Sequence, residues 1–596
     1  MRKSENGIYR WLSGAGLFLI IYLSLARIAG ELNDYPAGDW RSEIYADKSG
    51  YYIYLPAAFI YGFYESSYPD SIDVRLGDGF SFYRGKLVTK YTCGVAILTS
   101  PFFIITHLIQ LACGETADGF SPAYLNYAYM AAIFYLLAGL IALWLFLRKR
   151  FSAIVTTLTV LMIVAATNLF YYSFRDSLMS HVYSFALFGF LLLAADSFRT
   201  KSGAGNIFLI SLLASLIVIV RPSNVIFLPV ILLLDLKSFA ELKARLAVFF
   251  RPLYLAIALC TAILVFLPQL LYWNFISGSL LYYSYGNEGF IFWNSPEIAG
   301  VMLSPENGLL LYVPLFGFMV IGLLFMILTR KSNGWLIFSI LALHIYLVSS
   351  WHMPGFGCGF GHRTFVEYYA LLSMPLAWLI HMVLAGRKYW LMLFSGFVAV
   401  FLIWFNIRFS LAYRKCYEGG GSFNAYNQYV VMERLLPFVS GKYSYYTGYE
   451  QRDGYLKPGN RIFVTDMAAE GRKVNRVTPE TAYSDAIVLP LEKLISGKLY
   501  NLKATFLITS QGQAGDLRLV CSVTNSDSLI FYHAEPVTVQ AGAADFSWDK
   551  TELSLRLPFL PASGEMKLFF WNRSDAEIWI DDMKIELKSY VRTGLW

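Results

Sequence analysis

Carboxylates crowd one short stretch, GELNDYPAGDWRSEIYADKSGYYIYLPAAFIYGFY, among them Asp34, Asp39, Glu43 and Asp47. A carboxylate beside an apolar medium has its basicity set by desolvation and nearby charge, which suits it to take a proton from a reacting hydroxyl. Asp47 is the favoured base, with Asp34 and Glu43 as alternatives. It directly precedes SGYYIYLPAAFIYG, whose apolar content predicts a helix lying on a bilayer, and Tyr51 and Tyr52 there are expected to line a substrate cavity. The competing reading is a solvated loop.

Cations that could hold an anion opposite such a base are Arg221, immediately before Pro222, and Arg363 in CGFGHRTFVEYY, beside His352 and His362. Lys86 and Lys90 are further candidates. Arginine suits two-pronged phosphate binding, and the glycines at 355, 357, 359 and 361 permit close backbone approach. Each has a plainer reading: Arg363 as an ion pair with Glu367 one helical turn later, Arg221 as a side chain reaching for lipid headgroups. His181, in SLMSHVYSF, is expected either to face the same cavity or to be a structural histidine. The aromatic run GSLLYYSYGNEGFIFWNSPE fits a covering loop or an interfacial belt.

These residues need elements to carry them, and composition says which kind. Of 596 residues 57% are apolar and 15% charged, and nearly all long uncharged runs lie before about residue 410. That balance excludes a soluble protein. Apolar runs at about 11–29, 123–147, 153–173, 181–198, 206–220, 223–236, 252–274, 309–329, 334–350, 366–385 and 389–409 predict eleven transmembrane helices. The run from 93 to 113 is expected to be interfacial or re-entrant. Keeping it out of the count puts Arg148–Arg150, Arg199 with Lys201, residues 237–251, Arg330 with Lys331, and Arg387 with Lys388 all on the inside, and Pro101 favours a break. The N-terminus is then cytoplasmic, and loop 30–122 and everything after about 410 lie outside. The net charge of +7 follows from basic residues at the ends of apolar runs, so nucleic acid is excluded as a partner. Six cysteines show neither CxxC spacing nor a disulfide framework.

After an outer linker or subdomain at 411–486, residues 487–596 alternate in short segments such as LYNLKATFLIT, EMKLFFWNR and AEIWIDDMKIEL. This predicts a β-sandwich, resembling the jelly-roll of carbohydrate-binding modules. Trp548, Trp571 and Trp579 are expected either to stack on sugar rings or to fill the sandwich core.

The arrangement across residues 1–385 resembles the GT-C superfamily of polyprenyl-phosphate-sugar glycosyltransferases, including protein mannosyltransferase-like and aminoarabinose transferase-like enzymes. The resemblance rests on ADKSGYY after the first helix, KYTCGVAILTSPFF, RPSN at 221–224, SPENGLLLYVPLF at 304–316 and FGHRTFVEYYALLSMPL at 360–376. The paired Asp-Glu frequent in that superfamily is absent after the first helix. The resemblance implies a multi-pass enzyme of the inner membrane moving a sugar, with inversion, from a polyprenyl phosphate to a glycan, lipid or protein acceptor on the outer, periplasmic face. Asp47 is then the base, and Arg363, Arg221, His362, His352, Lys86 and Lys90 are donor-phosphate contacts. No metal or other cofactor is expected to be obligatory, although a divalent ion is open. The alternatives are a lipid or glycan transporter or flippase, expected to show repeated halves, and a non-catalytic membrane scaffold binding glycans.

Overall fold

The computed structural model describes residues 18–32, 42–69, 79–200, 203–286, 288–304, 307–357, 359–416, 456–466, 475–493, 499–511, 516–525, 528–537, 549–557, 560 and 563–592. Asp34, Asp39 and Trp548 lie outside them. The chain divides into two units, Met1–Ser410 and Leu411–Trp596.

The first unit is a helical bundle. Crossing about 30 Å of hydrocarbon takes roughly 20 helical residues, and among the described residues five helices are long and apolar enough: Gly94–Cys113, Pro122–Arg148, Ser180–Arg199, Pro252–Ser277 and Tyr389–Leu411. Six shorter apolar helices accompany them. Several expected spans are broken. The stretch 153–173 forms two helices, Ala153–Ala165 and Leu169–Phe174. The stretch 309–329 splits at Pro314 into Leu309–Tyr312 and Leu315–Leu328. In place of a span at 223–236 there is a 3-10 segment, Pro222–Phe227, followed by the short helix Val230–Leu233. Proline removes a backbone donor, which accounts for the last two breaks.

The stretch 93–113, expected to be interfacial or re-entrant with a break at Pro101, is one continuous helix, Gly94–Cys113, long and apolar enough to cross a membrane. The missing proline donor leaves the Ile97 carbonyl without its helical partner, and the Ser100 hydroxyl donates to that carbonyl at 2.9 Å. The break at 166–168 is supported in a similar way. Thr167 Oγ1 donates to Ile163 O at 2.6 Å, while Asn406 Nδ2 donates to the carbonyls of Ala165 and Thr167, each at 2.9 Å. Irregular backbone inside a bundle is tolerated where protein groups satisfy it.

The second unit consists of antiparallel strands. Ile487–Pro490, Glu565–Asn572, Leu517–Asn525 and Ser528–Val537 lie side by side in one sheet. Leu456–Asp466, Glu577–Arg592, Leu499–Gln511 and Asp549–Leu557 form the other, with Asn475–Val477 also paired to Glu577–Arg592. Alternate residues face inward: Met566, Leu568 and Phe570 from the first sheet meet Leu502, Ala504, Phe506 and Ile508 from the second in one core. Phe506 and Phe570 touch edge to face across it, 4.9 Å between centroids. Trp571 stacks on Tyr483 at 6.0 Å, and Arg476 lies over the Trp579 ring at 5.9 Å.

Candidate functional site

Asp47 opens a helix of six residues, Asp47–Tyr52, preceded by Ala46 at φ 49°. A non-glycine residue rarely takes that conformation, and here the surroundings hold it. Ser49 Oγ donates to Ala46 O at 2.8 Å, and a Cβ on Gly79 would lie 2.0 Å from the same oxygen. The expected helix on the bilayer surface is instead interior, since Lys48 through Leu55 are all buried. Tyr51 and Tyr52 are therefore packed side chains. The Tyr51 hydroxyl is 3.4 Å from Ser180 Oγ, and the Tyr52 hydroxyl donates to the Gly119 carbonyl.

Opposite Asp47 stands Arg363, its Nη2 2.9 Å from Asp47 Oδ2. Burial pushes the Asp47 carboxyl up, but the Arg363 guanidinium, a hydrogen bond from Tyr91 and the charge of Lys90 together outweigh it and hold the group below its ordinary value. The same carboxylate keeps the guanidinium firmly protonated against its own burial. Tyr91 arrives on the segment after a hairpin, Ser81–Tyr83 with Lys86–Val88, whose two turn residues Arg84 and Gly85 both have positive φ. Its ring packs on Tyr51 at 4.4 Å.

The loop bearing Arg363 is pinned from several sides. His362 Nε2 bonds Pro354 O and its Nδ1 bonds Thr364 Oγ1, both at 2.9 Å. Burial pushes its imidazole down to about 3, so His362 is neutral and both its nitrogens are engaged in holding the loop. Asn307 Nδ2 donates to Gly355 O at 2.7 Å and Gly357 O at 2.6 Å, and Asn168 Nδ2 donates to Phe360 O at 3.0 Å. Gly361 needs its freedom: its φ is 66° and a Cβ would come within 2.8 Å of Tyr312.

A second charged group adjoins the first. Arg221 Nε is 3.6 Å from Glu367 Oε1, and His181 Nδ1 is 3.0 Å from Glu367 Oε2. Arg221 Nη1 also approaches His181 Nδ1 at 3.0 Å. The Arg363–Glu367 pairing weighed from sequence is thus replaced by Arg363–Asp47 and Arg221–Glu367. Arg221 is 16% exposed in its side chain, so it points into this cluster and does not reach for headgroups. Backbone contact supports its position, since a Cβ on Gly94 would lie 2.5 Å from Val220 N.

The remaining candidates fall further out. Glu43 is fully buried and accepts the Leu178 N–H at 3.2 Å, a structural use of its carboxylate. Lys86 turns to the end of the Pro252–Ser277 helix, donating to Phe275 O at 2.7 Å. Lys90 pairs with Glu288 of the aromatic loop at 2.7 Å, and Ser284 of that loop donates to Lys90 O at 2.7 Å. His352 donates its backbone N–H to Gly289 O at 2.8 Å, and its ring meets Trp351. The aromatic loop therefore packs beside the site through Tyr285, which touches both Tyr91 and Trp351. Sequence reasoning missed Tyr91 and the buried pair of Lys48 with Asp176, 3.0 Å apart. The signal for Asp176 was available, because an acid in SFRDSLMSH, between apolar runs, needs a partner.

No family model matches the chain, and no curated protein matches it. Among solved structures, an oligosaccharyltransferase, AglB, from Archaeoglobus fulgidus, in complex with an inhibitory peptide and a dolichol-phosphate, is 13% identical with a TM-score of 0.41, over 70% of this chain and 58% of that one. The arabinosyltransferase EmbB from Mycobacterium smegmatis is 11% identical with a TM-score of 0.32, over 96% of this chain and 64% of that one. This chain thus spans less than two thirds of either.

Proposed function

We propose that this protein is a membrane glycosyltransferase that moves a sugar from a polyprenyl phosphate to an acceptor hydroxyl or amide, with inversion. The observation that carries the reading is the 2.9 Å pair of Asp47 and Arg363, a base and an anion-binding cation in direct contact at the end of an apolar bundle. In the resting site each occupies the other. When a phosphate enters, the guanidinium has donors for both partners, and the share of its charge given to the phosphate is withdrawn from Asp47. The carboxylate then becomes more basic as the donor binds.

The acceptor O–H or N–H gives its proton to Asp47 while the acceptor atom bonds to the anomeric carbon. The bond from that carbon to the phosphate oxygen breaks on the opposite face, and its electron pair leaves on the phosphate, where Arg363 stabilises the charge. Arg221 is the second phosphate contact, with His181 and Glu367 setting its orientation. The acceptor approaches under the aromatic loop beside Lys90. No step in this scheme requires a metal ion.

The deciding experiment is transfer from a panel of polyprenyl-phosphate sugars by the purified full chain, comparing the parent with Asp47→Asn. We expect the parent to release polyprenyl phosphate and the variant to lose on the order of a hundredfold or more of that rate. Equal rates would remove Asp47 as the base. Absence of release from every donor would remove the glycosyltransferase reading itself.

A further inference from the structure

We propose that the end of the bundle remote from Asp47 carries a binding pocket for the phosphodiester headgroup of an anionic phospholipid. The Ser180–Thr200 helix measures the separation: His181 at its start belongs to the site above, and Arg199 lies about 27 Å further along at 1.5 Å per residue. Around Arg199 is a cavity of about 330 Å³ lined by Lys149, Arg150, Asp196, Asp235, Lys331 and Trp378, among others. That volume is in the range of small-ligand sites.

Its charge is unbalanced. Lys149, Arg150 and Arg199 all bond to only two carboxylates, Asp196 and Asp235: Lys149 to Asp196 at 2.8 Å, Arg150 to Asp196 at 2.6 Å and to Asp235 at 2.5 Å, Arg199 to Asp196 at 3.3 Å and also to Asp235. Lys331 adds a fourth cation, held over the Trp378 ring at 4.5 Å. Four cations against two carboxylates leave two positive charges in excess, which favours an anion. Beside these charges, and Ser332 and Asn333 that bond to Asp235, the lining has an apolar part, Phe151, Met326 and Met374 alongside Trp378. A free phosphate has no use for such walls, whereas the glycerol and first methylenes behind a headgroup do.

A mutual clasp fixes part of the lining. Asp235 and Asn333 both have positive φ, 51° and 70°, and each holds the other: Asp235 N donates to Asn333 Oδ1 at 2.6 Å and Asn333 Nδ2 to Asp235 Oδ1 at 2.7 Å. After glycine, Asn and Asp are the residues that take this conformation most readily, so the two turns meet in this clasp at little cost. The clasp fixes the turn before the Gly334–Ser349 helix, which carries Lys331, against Asp235.

The test uses the full chain in mild detergent, with native mass spectrometry of added phosphatidylglycerol or phosphatidylcholine, and with inorganic phosphate as a separate arm. The double variant Lys149→Ala/Lys331→Ala leaves Arg150 and Arg199 to neutralise both carboxylates, so the fold is retained. Arg387→Ala/Lys388→Ala, basic residues outside the cavity lining, is the control. We expect the parent to prefer phosphatidylglycerol by about tenfold, the pocket variant to lose that preference and the control to keep it. Equal binding of the two lipids, or the same loss in the control, would overturn the pocket. Saturation by inorganic phosphate with no preference between lipids would overturn the lipid as its occupant.

Discussion

At the scale of single residues, the informative feature is how Asp47 is charged in place. Its depressed pKa comes from Arg363, Tyr91 and Lys90 acting against burial, so the sign of any change can be worked out. If Asp47 is the base, the acid limb of kcat/KM is expected below the ordinary carboxylate range of about pH 4 while Arg363 is present. Arg363→Gln removes the main opposing charge and lets burial dominate, so the limb moves upward in pH while the plateau falls by about two orders of magnitude. A pH profile of the two proteins measures both. A limb that stays in place would mean that another group titrates. Glu367 illustrates what sequence spacing conceals. It lies four positions from Arg363, the separation of helical neighbours, but residues 363–365 form a 3-10 turn. The changed pitch leaves Arg363 to Asp47 and Glu367 to Arg221 and His181.

Among elements, the segments named from sequence meet because small residues let them. Gly94 packs its bare Cα on Val220 one residue before Arg221, so the helix after KYTCG and the RPSN turn touch through backbone. Gly94→Leu would drive a side chain into that contact. The expected result is a loss of about 1–3 kcal/mol, read as a lower unfolding midpoint, together with weaker donor binding because Arg221 moves. Unchanged midpoint and transfer would show that the contact is not needed. The general bundle was legible from hydrophobic runs, and so was the β character of residues after 487. The breaks were less so, because an apolar run reads the same whether or not a tertiary partner interrupts it. Asn406 sits some 240 positions after the break it satisfies at 165–167. The strand Leu456–Asp466 was hidden for a local reason: Pro458 and Gly459 interrupt its alternation, although it pairs along Glu577–Arg592. Trp571 and Trp579, both weighed as sugar platforms, have ring or guanidinium neighbours of their own.

For the molecule as a whole, the helical unit carries an ionic site at one end and a cationic cavity at the other, joined by the Ser180–Thr200 helix. In the site four carboxyl groups each face a cation. Asp47, Asp176, Glu367 and Glu288 stand against Arg363, Lys48, Arg221 and Lys90, pair by pair. Arg363 and Arg221, the cations proposed to hold the phosphate, already have carboxylate partners, so an anion that binds them disturbs those pairs. Some carboxylate must give up part of its partner, and Asp47 is the one that shares its cation, Arg363, with the incoming phosphate in the proposed reaction. Donor binding should therefore draw protons from solution in mildly acid conditions, and the heat of binding should change with the ionisation enthalpy of the buffer. Titration calorimetry in two buffers of unlike enthalpy, repeated with Asp47→Asn, reads that exchange directly: a buffer-dependent heat in the parent that vanishes in the variant is the expected result, and the same heat in both would place the proton elsewhere.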